Sequence, residues 1–171
     1  MAIPGSESSD LYRSSERLLA YARRMFEMID ARGNTLAAPD PRAAIARGEA
    51  MHRELRTHLD ADYVAQIERM FTEGAHLVQL VDGGEPRALA VWRMFHTTYC
   101  GRRLEVEDLL TAEATRSRGY GKMLIAWLEA RARDAGCPTI TLHSATHRDR
   151  AHRFYFREGF HILAFHFSKP L

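Results

Sequence analysis

Two cysteines in 171 residues, Cys100 and Cys137, are too few for a disulfide scaffold and form no metal-type pair. They read as free thiols, and the chain must hold itself together by packing. Long apolar runs are missing too: nothing approaches the roughly 20 residues of a bilayer span, and no charged-then-apolar leader opens the chain. That excludes a membrane role and points to the cytoplasm. A dominant charge is also absent. The formal net charge is only +2, which argues against a general nucleic-acid binder. Nine histidines are present, but no H-E-x-x-H motif accompanies them, so no metal is expected.

The charge that exists is unevenly placed. Residues 54–113 hold 6 Arg/Lys against 11 Asp/Glu, whereas residues 114–171 hold 10 against 4. An acidic middle and a basic end suit two partners of opposite charge, or neutralise one another as solvated faces.

Apolar spacing divides the chain in two. Leu11, Leu18, Ala22, Met25, Phe26 and Ile29 recur at helical intervals, which predicts an amphipathic helix from Asp10 to about Gly33. Asp40-Pro41 is a cap followed by a first helical residue, so a second helix is expected over much of 41–52. A third, capped by Asp60, carries Val64, Ile67 and Phe71 and stops at Gly74. The period then shortens. "HLVQLVD" and "PRALAVWRMF" read as strands joined by the hairpin signal "DGGE", and "RLEVEDLLT" as a third strand with Leu104 and Val106 on one face and Glu105 and Glu107 on the other. Residues 119–135 form a helix ended by Gly136 and Pro138, followed by strand "TITLHS", helix "RDRAHRFYFREG" and a final strand "FHILAFHF". The expectation is an α/β mixed sheet: an antiparallel meander, then helix, strand, helix, strand. Residues 1–50 make an N-terminal helical extension on a domain of 51–171.

"TRSRGYGKML", residues 115–124, places two glycines and three cations at the start of a helix. The first backbone N–H groups of a helix lack intrahelical acceptors, and its dipole is positive there, so an anion is the natural guest. The P-loop pattern fails because Met123 follows Lys122, leaving no hydroxyl for Mg²⁺. The dinucleotide pattern fails because no third glycine arrives. Arg116-x-x-Gly119-x-Gly121 resembles the R/Q-x-x-G-x-G/A motif of the GNAT superfamily of N-acetyltransferases. "AHRFYFREGF" is similar to that family's second signature, and the two lie in the family's order. The resemblance covers about residues 54–171 and implies a GNAT-like three-layer fold with acetyl-CoA as co-substrate.

By position, the resemblance implies that the backbone of Leu109, Leu110 and Thr111 receives the pantetheine arm. It implies that Arg116, Ser117, Arg118, Gly119, Tyr120, Gly121 and Lys122 hold the pyrophosphate, with His147 and Arg150 as polar neighbours of the cofactor. Tyr155 matches the tyrosine that protonates the departing thiolate. The acceptor ammonium must lose a proton, and a carboxylate on the third strand is the expected base: Glu107, or Asp108 if the strand bulges. The implied activity is direct acetyl transfer in a ternary complex to a small-molecule or peptide amine. The alternative is a non-catalytic acyl-CoA-binding sensor or docking module. The final strand leaves a sheet edge open, from which homodimer formation is expected.

Overall fold

A computed structural model describes residues 26–29 and 40–171. Its sheet has five strands in the order β1-β2-β3-β4-β5, formed by Phe26–Ile29, Ala75–Asp82, Glu85–Thr97, Gly101–Thr111 and Thr139–Leu142. All neighbours are antiparallel except β4 and β5, which run parallel because a helix connects them. Helices α1 (Pro41–Arg47), α2 (Glu49–Leu55) and α3 (Tyr63–Thr72) precede β2, α4 (Tyr120–Asp134) joins β4 to β5, and α5 (Asp149–Arg157) follows β5.

The strands alternate between two cores. Val78, Leu80, Ala88, Ala90, Trp92, Leu104 and Val106 face α4, where Leu124, Ile125, Trp127 and Leu128 meet them. Leu77, Leu89 and Val91 face the other way, onto Ala44 and Ile45 of α1, Met51 of α2 and Tyr63 and Ile67 of α3. The molecule is therefore three-layered, helices on both faces of one sheet. Asp40 caps α1 as expected, its carboxylate accepting from the N–H groups of Arg42 at 3.0 Å and Ala43 at 3.2 Å.

Four expectations need correction. The helix expected to Gly33 does not hold over its last part: Phe26–Ile29 is a strand whose partners run from Leu80 to Leu77. The unpaired edge of β2 offers backbone groups that a strand satisfies better than a helix would. The remainder of that expected helix, over residues 10–25 and 30–33, lies outside the described residues. The helix over 41–52 is broken at Gly48, a poor helix former, whose N–H turns to the Ile45 carbonyl at 3.0 Å. Asp62, not Asp60, caps α3 by accepting from the Ala65 N–H; Asp60 instead accepts from Arg53 through its carbonyl and from Arg69 through its carboxylate. Finally, residues 160–171 form no strand, and Ile162, Leu163, Phe165 and Phe167 are exposed. Alternating apolar residues predict a strand only where a ladder partner exists, and none bonds to them among the described residues.

Candidate active site

β4 carries the site because of one extra residue. Val91 pairs with Asp108 but Trp92 pairs with Val106, so Glu107 bulges out of register. Without the bulge, Asp108 would share the apolar face of Leu104 and Val106. With it, Asp108 turns to the face of Glu105, toward α2. Glu107 is left near the surface, its carboxylate on the Arg93 Nε at 2.5 Å.

Asp108 is buried and fully engaged. His52 Nε2 lies 3.0 Å from its Oδ2, and Arg56 of the segment after α2 donates to Oδ1 from Nε at 2.7 Å. The other ring nitrogen of His52, Nδ1, lies 3.0 Å from the Tyr63 hydroxyl. A neutral imidazole satisfies both contacts by donating to Asp108 and accepting from Tyr63. Burial alone would push the Asp108 carboxyl upward, but the hydrogen bonds from His52 and Arg56 and the charge of Arg56 outweigh it and hold the carboxyl below the ordinary value. Tyr63 is raised well above the ordinary phenol, by burial first and then by the charges of Glu49 and Asp108. His52, Arg56 and Asp108 line a cavity of about 330 Å³ with Leu55, His58, Leu59, Gln66 and Met70. The acidic residues of 54–113 do not gather there; Asp108 is the one carboxylate among those lining residues, and it is already paired.

Beside this cavity the sheet opens. β5 pairs with β4 only from Arg103↔Thr139 to Val106↔Leu142, while β3 follows β4 to Thr111. Among the described residues, the stretch from Glu107 to Thr111 thus has a strand neighbour on one side only. Leu109 and Leu110 point into opposite cores, which fixes the strand and leaves its outer edge facing the wedge.

The glycine loop closes the wedge at the far end. Gly119 adopts φ 87°, a left-handed turn that frees the helix start, and Ser117 is also left-handed at φ 66°. Gly121 is tightly enclosed: a Cβ there would lie 3.3 Å from Phe154 Cζ and 3.5 Å from Thr111 Cγ2. This contact brings the β4 end, the start of α4 and helix α5 together. Tyr120 anchors the loop by donating to Asp82 at 2.6 Å, and Arg116 pairs with Glu113 at 3.0 Å. Arg118, Lys122, His147 and Arg150 are exposed. Arg150 lies one helical turn before Phe154, on the α5 face toward the glycine loop. Residues 143–147 are not helical, so His143 and His147 do not share a helix face. Among the described residues no group of three metal-type side chains comes together.

Tyr155 is partly buried between Phe154 and Phe160 on α5. Burial raises its hydroxyl above the ordinary value of 10.0; the charge of Arg148 lowers it and that of Asp108 raises it, so Tyr155 and Asp108 lie within each other's field. The strand wedge, the helix start and the buried tyrosine thus converge on one region.

Residues 44–160 match the acetyltransferase (GNAT) family. The chain belongs to that family. It is 36% identical over 121 residues to an uncharacterised N-acetyltransferase, YhdJ, of Bacillus subtilis, covering 69% of this chain and 85% of that one. It is 34% identical over 83 residues to an aminoalkylphosphonate N-acetyltransferase of Salmonella typhimurium, covering 48% of this chain; it spans about half, 54%, of that protein. Among solved structures, the aminoglycoside N-acetyltransferase AAC(6')-Iy in complex with CoA superposes with a TM-score of 0.67 at 15% identity, over 75% of this chain and 89% of that one. This GNAT chain is thus an acetyltransferase by family. His52, Arg56 and Tyr63 were not legible in its sequence as site residues, because they meet Asp108 or each other only through folding.

Proposed function

We propose that this chain transfers the acetyl group of acetyl-CoA to a primary amine held in the cavity beside Asp108, by direct attack in a ternary complex. The observation that carries the reading is the wedge between β4 and β5, which opens between the glycine loop and Tyr155. In this reading the pantetheine arm lies along Leu109, Leu110 and Thr111, and its amides take the backbone groups that β5 leaves free. The pyrophosphate rests on the N–H groups of Ser117 to Lys122, with Arg116, Arg118, Lys122 and Arg150 adding positive charge and His147 nearby.

Tyr155 keeps its proton through neutral pH, because its hydroxyl is raised, and gives it to the thiolate as the C–S bond breaks. Asp108, held ionised by Arg56 and His52, faces the cavity as the anchor for an incoming ammonium. Because its carboxyl is shifted down, it holds that cation better than it removes its proton. Glu107 is committed to Arg93, which weakens its case as the base. The cavity of about 330 Å³ suits a small acceptor or the end of a peptide. Relatives named for aminoalkylphosphonate and aminoglycoside acceptors favour the small-molecule class. The exposed apolar residues of 161–167 and the open edge of β5 support homodimer formation.

Thiol release from acetyl-CoA, followed with aminoalkylphosphonates, aminoglycosides, amino acids, polyamines and peptides, tests the reading. Release well above hydrolysis with one class is expected. Tight CoA binding without turnover on any amine would instead favour a non-catalytic acyl-CoA sensor.

A further inference from the structure

β4 holds a second buried carboxylate on the Asp108 face, Glu105, and it too is bonded to a histidine. Glu105 accepts from Arg103 Nη2 at 2.6 Å, Thr141 Oγ1 at 3.1 Å and His143 Nδ1 at 2.7 Å. Three protein donors hold it in place, which suits it to orient a neighbour rather than to meet substrate itself. His143 is different: its side chain is 56% exposed. It is the first residue past β5, one step beyond the last β4–β5 pair, Val106↔Leu142, and so stands at the mouth of the wedge. The hydroxyl of the next residue, Ser144, is buried and has no hydrogen-bond partner among the described residues, so a second polar group stands next to His143.

We infer that His143, oriented by Glu105, is the base that takes the proton from the acceptor's ammonium. The inference rests on the acetyl-transfer reading above. Nδ1–H donates to Glu105, which leaves the Nε2 lone pair directed outward, the tautomer that a base requires. Nε2 accepts a proton as an ammonium N–H bond breaks. The freed nitrogen lone pair forms the C–N bond to the thioester carbonyl, and the C–S bond then breaks with the electron pair going to sulfur. Tyr155 protonates that sulfur and is restored by the second proton shed from the new amide nitrogen. His143 returns its proton to solvent, so one proton is released per turnover. The charged and titratable groups facing His143 are Glu105 and Arg103 from β4 and His166 from the C-terminal segment, whose ring lies 4.5 Å away at 58°. Arg103 is itself held over the rings of Phe95 and Tyr99.

The test compares pH–rate profiles of wild type, His143→Gln, His143→Asn, Glu105→Gln and His166→Asn, using the best acceptor from the amine panel. CoA affinity and thermal unfolding are measured alongside. Wild-type kcat/KM is expected to climb through the pH 5–8 range in which imidazoles titrate. Both His143 variants should lose that limb and about 10²-fold or more in rate, with CoA affinity unchanged. Glu105→Gln should keep the limb at about a tenth of the rate, as a positioning residue would, and His166→Asn should keep both limb and rate. His143 variants that stay folded and retain the limb within threefold of the wild-type rate would overturn the assignment. Wild type that binds CoA yet releases no thiol with any amine would instead remove the acetyl-transfer reading, and the inference with it.

Discussion

Asp108 and Glu105 stand three residues apart on β4, and each is bonded to a histidine and an arginine. His52, the partner of Asp108, is 1% exposed and has both ring nitrogens occupied, by Asp108 and by Tyr63. His143, the partner of Glu105, is more than half exposed and, among the described residues, has one ring nitrogen bonded to a protein group. The chemistry of the two pairs is the same; burial separates their work. The enclosed pair ties α2 and α3 to the sheet and shapes the cavity beside it, whereas the open pair stands at the surface.

The comparison breaks most visibly at His52. His52→Leu removes a partner from both Asp108 and the Tyr63 hydroxyl inside the protein, a loss of roughly 3 kcal/mol of unfolding free energy. Urea denaturation should register it, and a loss below about 0.5 kcal/mol would mean that the enclosed pair holds nothing together. Next in size is Tyr155→Phe, which should lower kcat by about 10- to 100-fold while leaving CoA affinity unchanged, measured by isothermal titration; an unaltered kcat would end its role as acid.

Acid titration sharpens the contrast further. The folded Asp108 carboxyl titrates below its ordinary 3.8, so the unfolded chain binds that proton first. The stability it contributes is complete above about pH 4 and fades as pH falls through the lower folded value. Asp108→Asn should therefore be less stable at pH 7 and lose less on acidification, as followed by circular dichroism across an acid series. Parallel curves for variant and wild type would contradict the pairing. The smallest effect is expected at Glu107→Gln. A bulged, partly exposed carboxylate on Arg93 should change stability by no more than about 0.5 kcal/mol, and the acetylation rate by less than threefold.

Much of this architecture was readable beforehand, and the parts that were not share a cause. The glycine loop was legible because its geometry is local: a left-handed glycine and a helix start lie within a few residues of one another. The meander was legible because period-two alternation and "DGGE" are short-range signals. A bulge that would turn Asp108 was open as one alternative, but its occurrence at Glu107 depended on the register against β3. His52 was out of reach because it meets a carboxylate 56 residues away. Its one clue was a polar ring beside Met51 on the apolar side of a helix. Glu105 was legible only as a neighbour of Glu107 on the polar face of its strand, because nothing in "RLEVEDLL" says that Thr141 and His143 will bond to it. The strand over Phe26–Ile29 and the unpaired stretch after Phe160 fail for a related reason: the presence or absence of a ladder partner decides them, and local pattern does not report partners.

The most direct test of the division of labour measures urea unfolding and kcat/KM together on His52→Leu and His143→Gln. Crossed effects are expected: His52→Leu loses roughly 3 kcal/mol of stability, whereas His143→Gln stays within about 0.5 kcal/mol of wild type and loses about 10²-fold in kcat/KM. A stable His52 variant with crippled turnover, beside a His143 variant of normal rate, would contradict it.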